Sequence, residues 1–431
     1  MKTLRIGLLG LGQIGGGLYK LLRSKKEQYK RELGISLELA KVADIDRKKQ
    51  RELKIPKSVF TTDAWDVVRD PSLDVIVELI GGTKIARELV KESMKYGKDV
   101  VTANKALLAE YGDEIFELAH EMNRWILFEA SVGGGIPVIK ALREGLVANR
   151  IDSILSIING TSNYILSKMT ETGADFEEAL KEAQQKGYAE SDPTLDIDGS
   201  DAAHKLAILA RFAFGGRVKF SHIYCEGISK IRSEDILFAK ELGYRIKLLA
   251  IAKAMHGGIE ARVQPTLLPE SHILANVNGS FNAILMRGDE VGDVLFYGRG
   301  AGSGPTASAV FSNLIDIALR EGSRFGDRTM MMRGIRGNLK IKNISSILSR
   351  YYLRFYVVDK PGVLARISQV LGKHRISISD VIQKERSEGN VVPLYLLTHD
   401  AHENDVRKAI HAIDRLRIIR GKSQLIRIEN N

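Results

Sequence analysis

One cysteine, Cys225, stands among 431 residues, so no disulfide forms within the chain and no cysteine-based zinc site can be built. No apolar run reaches the roughly 18 to 20 residues that span a bilayer. The opening Met1-Lys2-Thr3-Leu4-Arg5-Ile6-Gly7 runs straight into a strand-like segment and lacks the pattern of a secretory signal. Low-complexity tracts and short-period repeats are missing too. Basic residues give a formal charge of +11, but they are spread along the chain and mixed with acids. That distribution weighs against a nucleic-acid partner, and part of the excess suits anionic metabolites. The expectation is a cytoplasmic protein with neither a membrane nor a nucleic acid as partner. What is present is a hydrophobic share of 44% and a charged share of 27%, the balance of a globular protein whose length calls for two or three domains.

Apolar runs at 4–9, 37–42, 74–80, 100–101 and 125–128 are separated by helical stretches, which predicts a parallel sheet with right-handed crossovers. After about residue 130 strands and helices are grouped rather than alternated. Strands are expected at 151–158, 246–254 and 259–265, and helices at 176–186 and 202–214, giving an α+β domain. An apolar helix over 306–319 is placed to pack back on the first domain. Residues 321–350 are rich in Arg, Gly and Met with weak periodicity and read as a linker containing one short helix. From Leu353 the pattern runs strand, helix, strand, strand, helix, strand, which is ferredoxin-like. The expected domains are 1–130 with helix 305–320, then 131–304, the linker 321–350, and 351–431.

Gly10-Leu11-Gly12-Gln13-Ile14-Gly15 follows the first strand and opens a helix. Gly10 permits the tight turn, Gly12 leaves room for a pyrophosphate, and Gly15 lets helix and strand pack closely. The helix start, with Gln13 and Ile14, offers free N–H groups to phosphates. A Rossmann-type dinucleotide site is therefore expected, against the plainer reading of a structural glycine turn. Asp44 ends the second strand and suits the ribose hydroxyls of NAD. It comes later than the usual spacing of about 20 residues, which a first helix running to Arg31 explains. Arg47, Lys48 and Lys49 suit the 2′-phosphate of NADP or simply form a solvated loop, so the cofactor is NAD or NADP.

Thr102-Ala103-Asn104-Lys105 follows a buried strand, and strand C-termini line the ligand crevice of an open parallel sheet. Lys105 reads either as a lysine in that crevice or as a helix-start residue. Asn159-Gly160-Thr161-Ser162-Asn163-Tyr164 has more polar groups than a plain helix cap needs. Gly187-Tyr188-Ala189-Glu190-Ser191-Asp192-Pro193 leads through Asp196 and Asp198 to Asp201-Ala202-Ala203-His204-Lys205. Asp201 and Lys205 lie four apart and share a helix face, as a surface ion pair or as a site with a carboxylate for an ammonium and a lysine for a carbonyl oxygen. The acids lack EF-hand spacing, which weighs against a divalent metal.

Together with Val77-Glu78-Leu79-Ile80-Gly81-Gly82, Glu129-Ala130-Ser131-Val132-Gly133-Gly134-Gly135-Ile136-Pro137 and Tyr297-Gly298-Arg299-Gly300-Ala301-Gly302, these motifs resemble the homoserine dehydrogenase family, in its order over roughly the first 320 residues. The resemblance implies hydride transfer between NAD(P)H and aspartate semialdehyde, giving homoserine on the route to threonine and methionine. It implies Lys205 as the catalytic lysine and Lys105 as a second one beside the nicotinamide. Glu190 and Asp201 would hold the substrate, and Gly160, Thr161, Tyr188 and Asp196 would line its pocket. Glu129, Val132, Gly134 and Ile136 match a sodium site built mostly of carbonyls, and Gly302 a loop near the cofactor. The Asp359-Lys360-Pro361-Gly362 turn resembles an ACT regulatory domain, which implies an amino-acid effector, threonine by pathway logic, at Asp359, Gly362 and Asp380, or else a dimerisation module with no ligand. A homodimer or homotetramer is expected. Two other readings are weighed against this one: a different amino-acid or semialdehyde dehydrogenase of the same build, and a metabolite-sensing or nucleic-acid-binding protein with a dead Rossmann domain. The second is opposed by intact Lys105, Glu190, Asp201 and Lys205.

Overall fold

The computed structural model describes residues 2–319, 337–383 and 390–429. Six strands form the first sheet: β1 (Lys2–Leu9), β2 (Ile35–Ala43), β3 (Phe60–Thr61), β4 (Val75–Glu78), β5 (Asp99–Thr102) and β6 (Ile126–Leu127). Their order is β3-β2-β1-β4-β5-β6, every neighbouring pair parallel. Leu4, Ile6, Leu8 and Leu9 of β1 are all buried because helices cover both faces, which is why the strand reads as a continuous apolar run. Chain order reverses between β1 and β4, opening the ligand crevice at their C-terminal ends. Helix Gln13–Leu33 ends on Gly34 in the left-handed conformation, and its 21 residues account for the late position of Asp44. Helix Ser303–Leu319 returns to this domain, burying Ala307, Val310, Phe311 and Leu314 with Leu18 and Leu22.

The second sheet starts as β12 (Gly292–Arg299), β11 (Phe281–Gly288), β7 (Ile151–Ile157), β9 (Tyr244–Met255) and β10 (Gly258–Pro269), in that order and antiparallel. The short β8 (Tyr224–Cys225) pairs parallel with β10. Helices Gly160–Thr172, Phe176–Gln185 and Ser200–Phe214 contribute Ile165, Leu166, Ala179, Leu206 and Leu209 to the core against it. This is the expected grouped α+β arrangement.

β13 (Leu348–Val358), β14 (Ile378–Ile382), β15 (Val391–Thr398), β16 (Ala401–His402) and β17 (Gln424–Ile428), with helices Val363–Lys373 and Glu403–Ile413, complete the chain. Strand order β17-β13-β15-β14 is antiparallel and ferredoxin-like. β13 begins earlier than Leu353, and Ile419 only bridges Val357 before β17 starts at Gln424. Residues 321–336 of the expected linker, and the end of the expected helix at 320, lie outside the described residues. Its described end pairs with the middle domain, Asn338 with Arg217 and Ile341 with Ile259. Among the described residues no helix is long and apolar enough to cross a membrane.

One feature of the fold departs from three separate bodies. β17 runs parallel to β10 through Thr266↔Arg427 and Leu267↔Ile428, so the C-terminal sheet continues the catalytic one as a single sheet. Buried ion pairs hold the junction. Arg354 Nε and Nη2 donate to the two oxygens of fully buried Asp235 at 2.8 and 3.1 Å, and Arg262 Nη2 donates to Glu429 at 3.0 Å. Such pairs give registry more than net stability, because desolvation offsets much of the attraction.

Candidate active site

Gly10 takes φ +95°, and a side chain there would collide with the Leu79 carbonyl. Gly12 faces open space, whereas a Cβ on Gly15 would lie 2.0 Å from the Gly10 carbonyl oxygen. The three glycines thus make the turn, the open approach and the close helix–strand contact. No side chain caps the helix that begins with Gln13 and Ile14, so its first N–H groups are left for an anion. These residues fit a dinucleotide. Asp44 accepts from Leu11 N and, at 2.8 Å, from Asp46 N, which seats its carboxylate over the glycine loop. Arg47 and Lys48 are exposed beside it. Ser303 Oγ donates to the Gln13 carbonyl at 2.7 Å, bringing Gly302 next to the same loop.

At the C-terminal end of β5, Asn104 caps helix Lys105–Glu121 by accepting from Leu107 N at 3.1 Å. Lys105 is indeed a helix-start residue, yet its Nζ lies 2.9 Å from Asp201 Oδ1 in the other domain. Lys205 Nζ donates to Asp201 Oδ2 and to the Ile158 carbonyl, both at 2.7 Å. One carboxylate therefore joins two lysines across the domain boundary. Asn159 Nδ2 donates to Asp201 Oδ2 at 2.8 Å and to Asp196 Oδ1 at 2.7 Å, adding the second acid. Thr161 Oγ1 donates to the Tyr188 carbonyl at 2.6 Å, and Gly160 approaches the Ser280 carbonyl too closely for a side chain. Tyr188 and Glu190 are exposed at the rim.

Burial pulls Lys205 below the ordinary lysine range; Asp201 opposes this and Lys105 reinforces it. Burial also acts downward on Lys105, but the carboxylates of Asp201, Asp196 and Glu190 together outweigh it and leave that ammonium above the usual value. For Asp201 burial acts upward, and the two lysines more than reverse it, holding the carboxyl well below the carboxylate range. Asp196 is raised by burial and by the neighbouring charge of Asp201. The site thus carries two lysines of different basicity around one fixed anion.

Two contributors were not singled out from sequence. Asn159 links the two acids, and its signal was its place as the cap of a strand-to-helix turn. Fully buried Glu78, raised by burial, accepts from Thr102 Oγ1 at 2.6 Å and Ile80 N at 2.9 Å, ordering the loops after β4 and β5.

Glu129, the one side-chain ligand expected at the cation site, is engaged otherwise. Its oxygens accept from Ile139 N at 2.9 Å and Lys140 N at 2.8 Å, capping the helix at Val138, and the Ile136 carbonyl accepts from Val138 N. Burial pushes the Glu129 carboxyl up to about 7. A carboxyl raised on folding stabilises the fold fully below its unfolded value of 4.5, and that contribution is lost as pH rises through about 7. Glu129→Gln should therefore flatten the pH dependence of stability. The difference in unfolding free energy between pH 5.5 and 8, from urea titration, is expected to shrink by about 1–2 kcal/mol. An unchanged difference would remove Glu129 from that titration.

Asp359, Gly362 and Asp380 lie on two neighbouring parts of the C-terminal domain, and Gln383, just past β14, donates to Asp359 at 3.4 Å. Gly362, at φ +85°, starts helix Val363–Lys373 just after Asp359, and Asp380 lies on edge strand β14.

A parallel sheet with an intact glycine loop, and a lysine pair poised at its crevice, define a nicotinamide-dependent oxidoreductase acting on a carbonyl or alcohol. Family models narrow this: the one described as homoserine dehydrogenase matches residues 137–315, its NAD-binding domain matches 10–129, and an ACT domain matches 351–417. The homoserine dehydrogenase of Neisseria gonorrhoeae is 47% identical over 433 residues, covering 100% of this chain and 99% of its own. A solved homoserine dehydrogenase from Thiobacillus denitrificans matches with a TM-score of 0.92 and 47% identity, covering 100% of this chain and 99% of its own. A hyperthermophilic archaeal homoserine dehydrogenase in complex with NADPH matches at a TM-score of 0.62 and 28% identity, covering 73% of this chain and 97% of its own. The chain belongs to the homoserine dehydrogenase family, carries a C-terminal ACT domain, and is an NAD(P)-dependent oxidoreductase of amino-acid biosynthesis.

Proposed function

We propose that the protein interconverts aspartate semialdehyde and L-homoserine on the route to threonine and methionine, with Lys205 as the proton-transferring group. The observation that carries this reading is the single Asp201 carboxylate shared by Lys205 and by Lys105, which follows the C-terminal end of β5 in the Rossmann sheet. When bound over residues 10–15, NAD(P)H supplies the hydride to the aldehyde carbon. Negative charge then grows on the carbonyl oxygen, and the lysines stabilise it and deliver a proton. In homoserine oxidation the hydroxyl proton goes to neutral Lys205, whose lowered basicity suits that task, while Lys105 stays charged. Both oxygens of Asp201 are occupied by lysines, so Glu190 receives the substrate ammonium and Asp201 fixes the pair. Gly160, Thr161, Tyr188 and Asp196 line the pocket.

Exposed Arg47 and Lys48 suit a 2′-phosphate, while Asp44, tied to Leu11 N and Asp46 N, keeps lone pairs for ribose hydroxyls, so both cofactors are accommodated. A sodium ion would rest on the carbonyls of Glu129, Val132, Gly134 and Ile136 rather than on a side chain. The reading extends to a cytoplasmic homodimer or homotetramer under feedback by an amino acid, threonine, near Asp359, Gly362 and Asp380. Absorbance at 340 nm, with homoserine and NAD or NADP at alkaline pH, with and without threonine, tests it. Cofactor reduction is expected, slowed by threonine; no reduction by a folded protein that binds the cofactor would move the assignment to another semialdehyde or amino-acid dehydrogenase.

A further inference from the structure

Arg427 is a charged side chain with only 1% exposure, and the C-terminal domain matches its charge only in part. Its Nε donates to Glu403 Oε2 at 2.9 Å, and fully buried Glu403 takes a second bond from Nη2. A further contact crosses to the catalytic domain, where Arg427 Nη1 donates to Glu226 Oε2 at 3.1 Å. Tyr224 OH donates to the same carboxylate oxygen at 2.8 Å and accepts from Arg407 Nη2 at 2.9 Å. Glu403 is also paired with Arg407, whose Nε donates to its Oε1 at 2.6 Å, so Glu226 completes a balance of two arginines by two carboxylates, and the contact fixes the segment that carries Glu226.

That segment, 224–228, is held on its other side by the substrate acids' own turn. Ile228 N donates to the Ile197 carbonyl at 2.8 Å, and Cys225 Sγ lies 3.3 Å from the Asp198 carbonyl oxygen. Gly227 is pressed so closely on the turn that a Cβ would sit 2.1 Å from the Ile197 oxygen. Gly199, the N-cap of helix Ser200–Phe214, would likewise place a Cβ 2.9 Å from Cys225 Sγ. Turn 196–199 carries Asp196 and starts the helix that bears Asp201 and Lys205. The close backbone contacts make segment and turn one body.

We propose that Arg427 and Glu226 are positioning residues: through segment 224–228 the C-terminal domain sets the placement of Asp196, and so the affinity for substrate, without touching it. This rests on the reading of Asp196 as a pocket residue. It also gives the ACT domain a physical route to the site, because a shift of β17 by its own ligand would be delivered at Glu226.

The test uses the full chain with Glu226→Gln, which keeps the shape and removes the charge, and Tyr224→Phe, which removes only the hydroxyl. KM for homoserine is expected to rise about three- to tenfold in Glu226→Gln and less in Tyr224→Phe. In both, kcat should stay within about twofold and cofactor affinity should be unchanged. Amide hydrogen exchange over residues 194–203 should quicken in Glu226→Gln whether or not homoserine is the substrate. Unchanged KM and unchanged exchange in folded variants, even with a lowered Tm, would overturn the proposal. A wild-type protein inactive on homoserine would count against the function alone, and the exchange readout would still decide the positioning.

Discussion

Lys205→Met is expected to lower kcat for homoserine oxidation by about three orders of magnitude while leaving cofactor binding intact. In the proposed mechanism this lysine moves the proton. It is buried, held by the Ile158 carbonyl and Asp201, and shifted toward the neutral form that an accepting base requires. Methionine preserves most of the volume in a helix whose neighbouring residues are all buried. Asp201 keeps Lys105 at 2.9 Å, so no buried carboxylate is stranded, and the cost to stability is confined to the Ile158 carbonyl, about 1–3 kcal/mol. Steady-state kinetics at 340 nm, cofactor titration by fluorescence and a thermal melt separate the effects. A loss of less than tenfold in a folded variant would shift the proton transfer to Lys105 or to water.

What made Lys205 legible from sequence was spacing: Asp201 and Lys205 share a helix face at four residues apart, and local geometry alone brings them into contact. The glycine loop was legible for the same reason, since each glycine answers to a neighbour within a few residues or to the next strand. The meeting of Lys105 with Asp201 was not, because it joins the end of a parallel strand to a helix of another domain. Only the packing of helix Lys105–Glu121 beside helix Ser200–Phe214 sets that distance. The fusion of the two sheets was hidden more deeply. It rests on two residue pairs between β10 and β17, and the burial of Arg427 and Arg262 that goes with it contradicts what charged residues ordinarily do. Glu129 shows a third kind of concealment. Its position matched a cation site, but whether its carboxylate meets an ion or a helix N-terminus depends on where residues 138–140 fold.

The arrangement around Asp201 predicts a shift in pH dependence as large in its way as the loss of the lysine. In Asp201→Asn the amide oxygen still accepts a hydrogen bond from one lysine, but the negative charge that both share is gone. Lys205 is already drawn down by burial and by Lys105, so removing the larger of the two opposing carboxylates, with Asp196 left in place, lowers it further. In the proposed mechanism homoserine oxidation needs Lys205 neutral, so kcat/KM is expected to rise with pH as that proton leaves the free enzyme. The acid limb of the profile should therefore move to lower pH, by about one to two units. Its plateau should fall about ten- to a hundredfold, because the lysines are no longer drawn to one point. Wild type should show the limb at higher pH, since Asp201 stabilises the charged lysine. A profile of kcat/KM from pH 6 to 10 with saturating cofactor measures both. A limb that stays in place while the plateau drops would mean that Asp201 orients groups without governing the proton, and a limb displaced upward would contradict the shared-carboxylate account altogether.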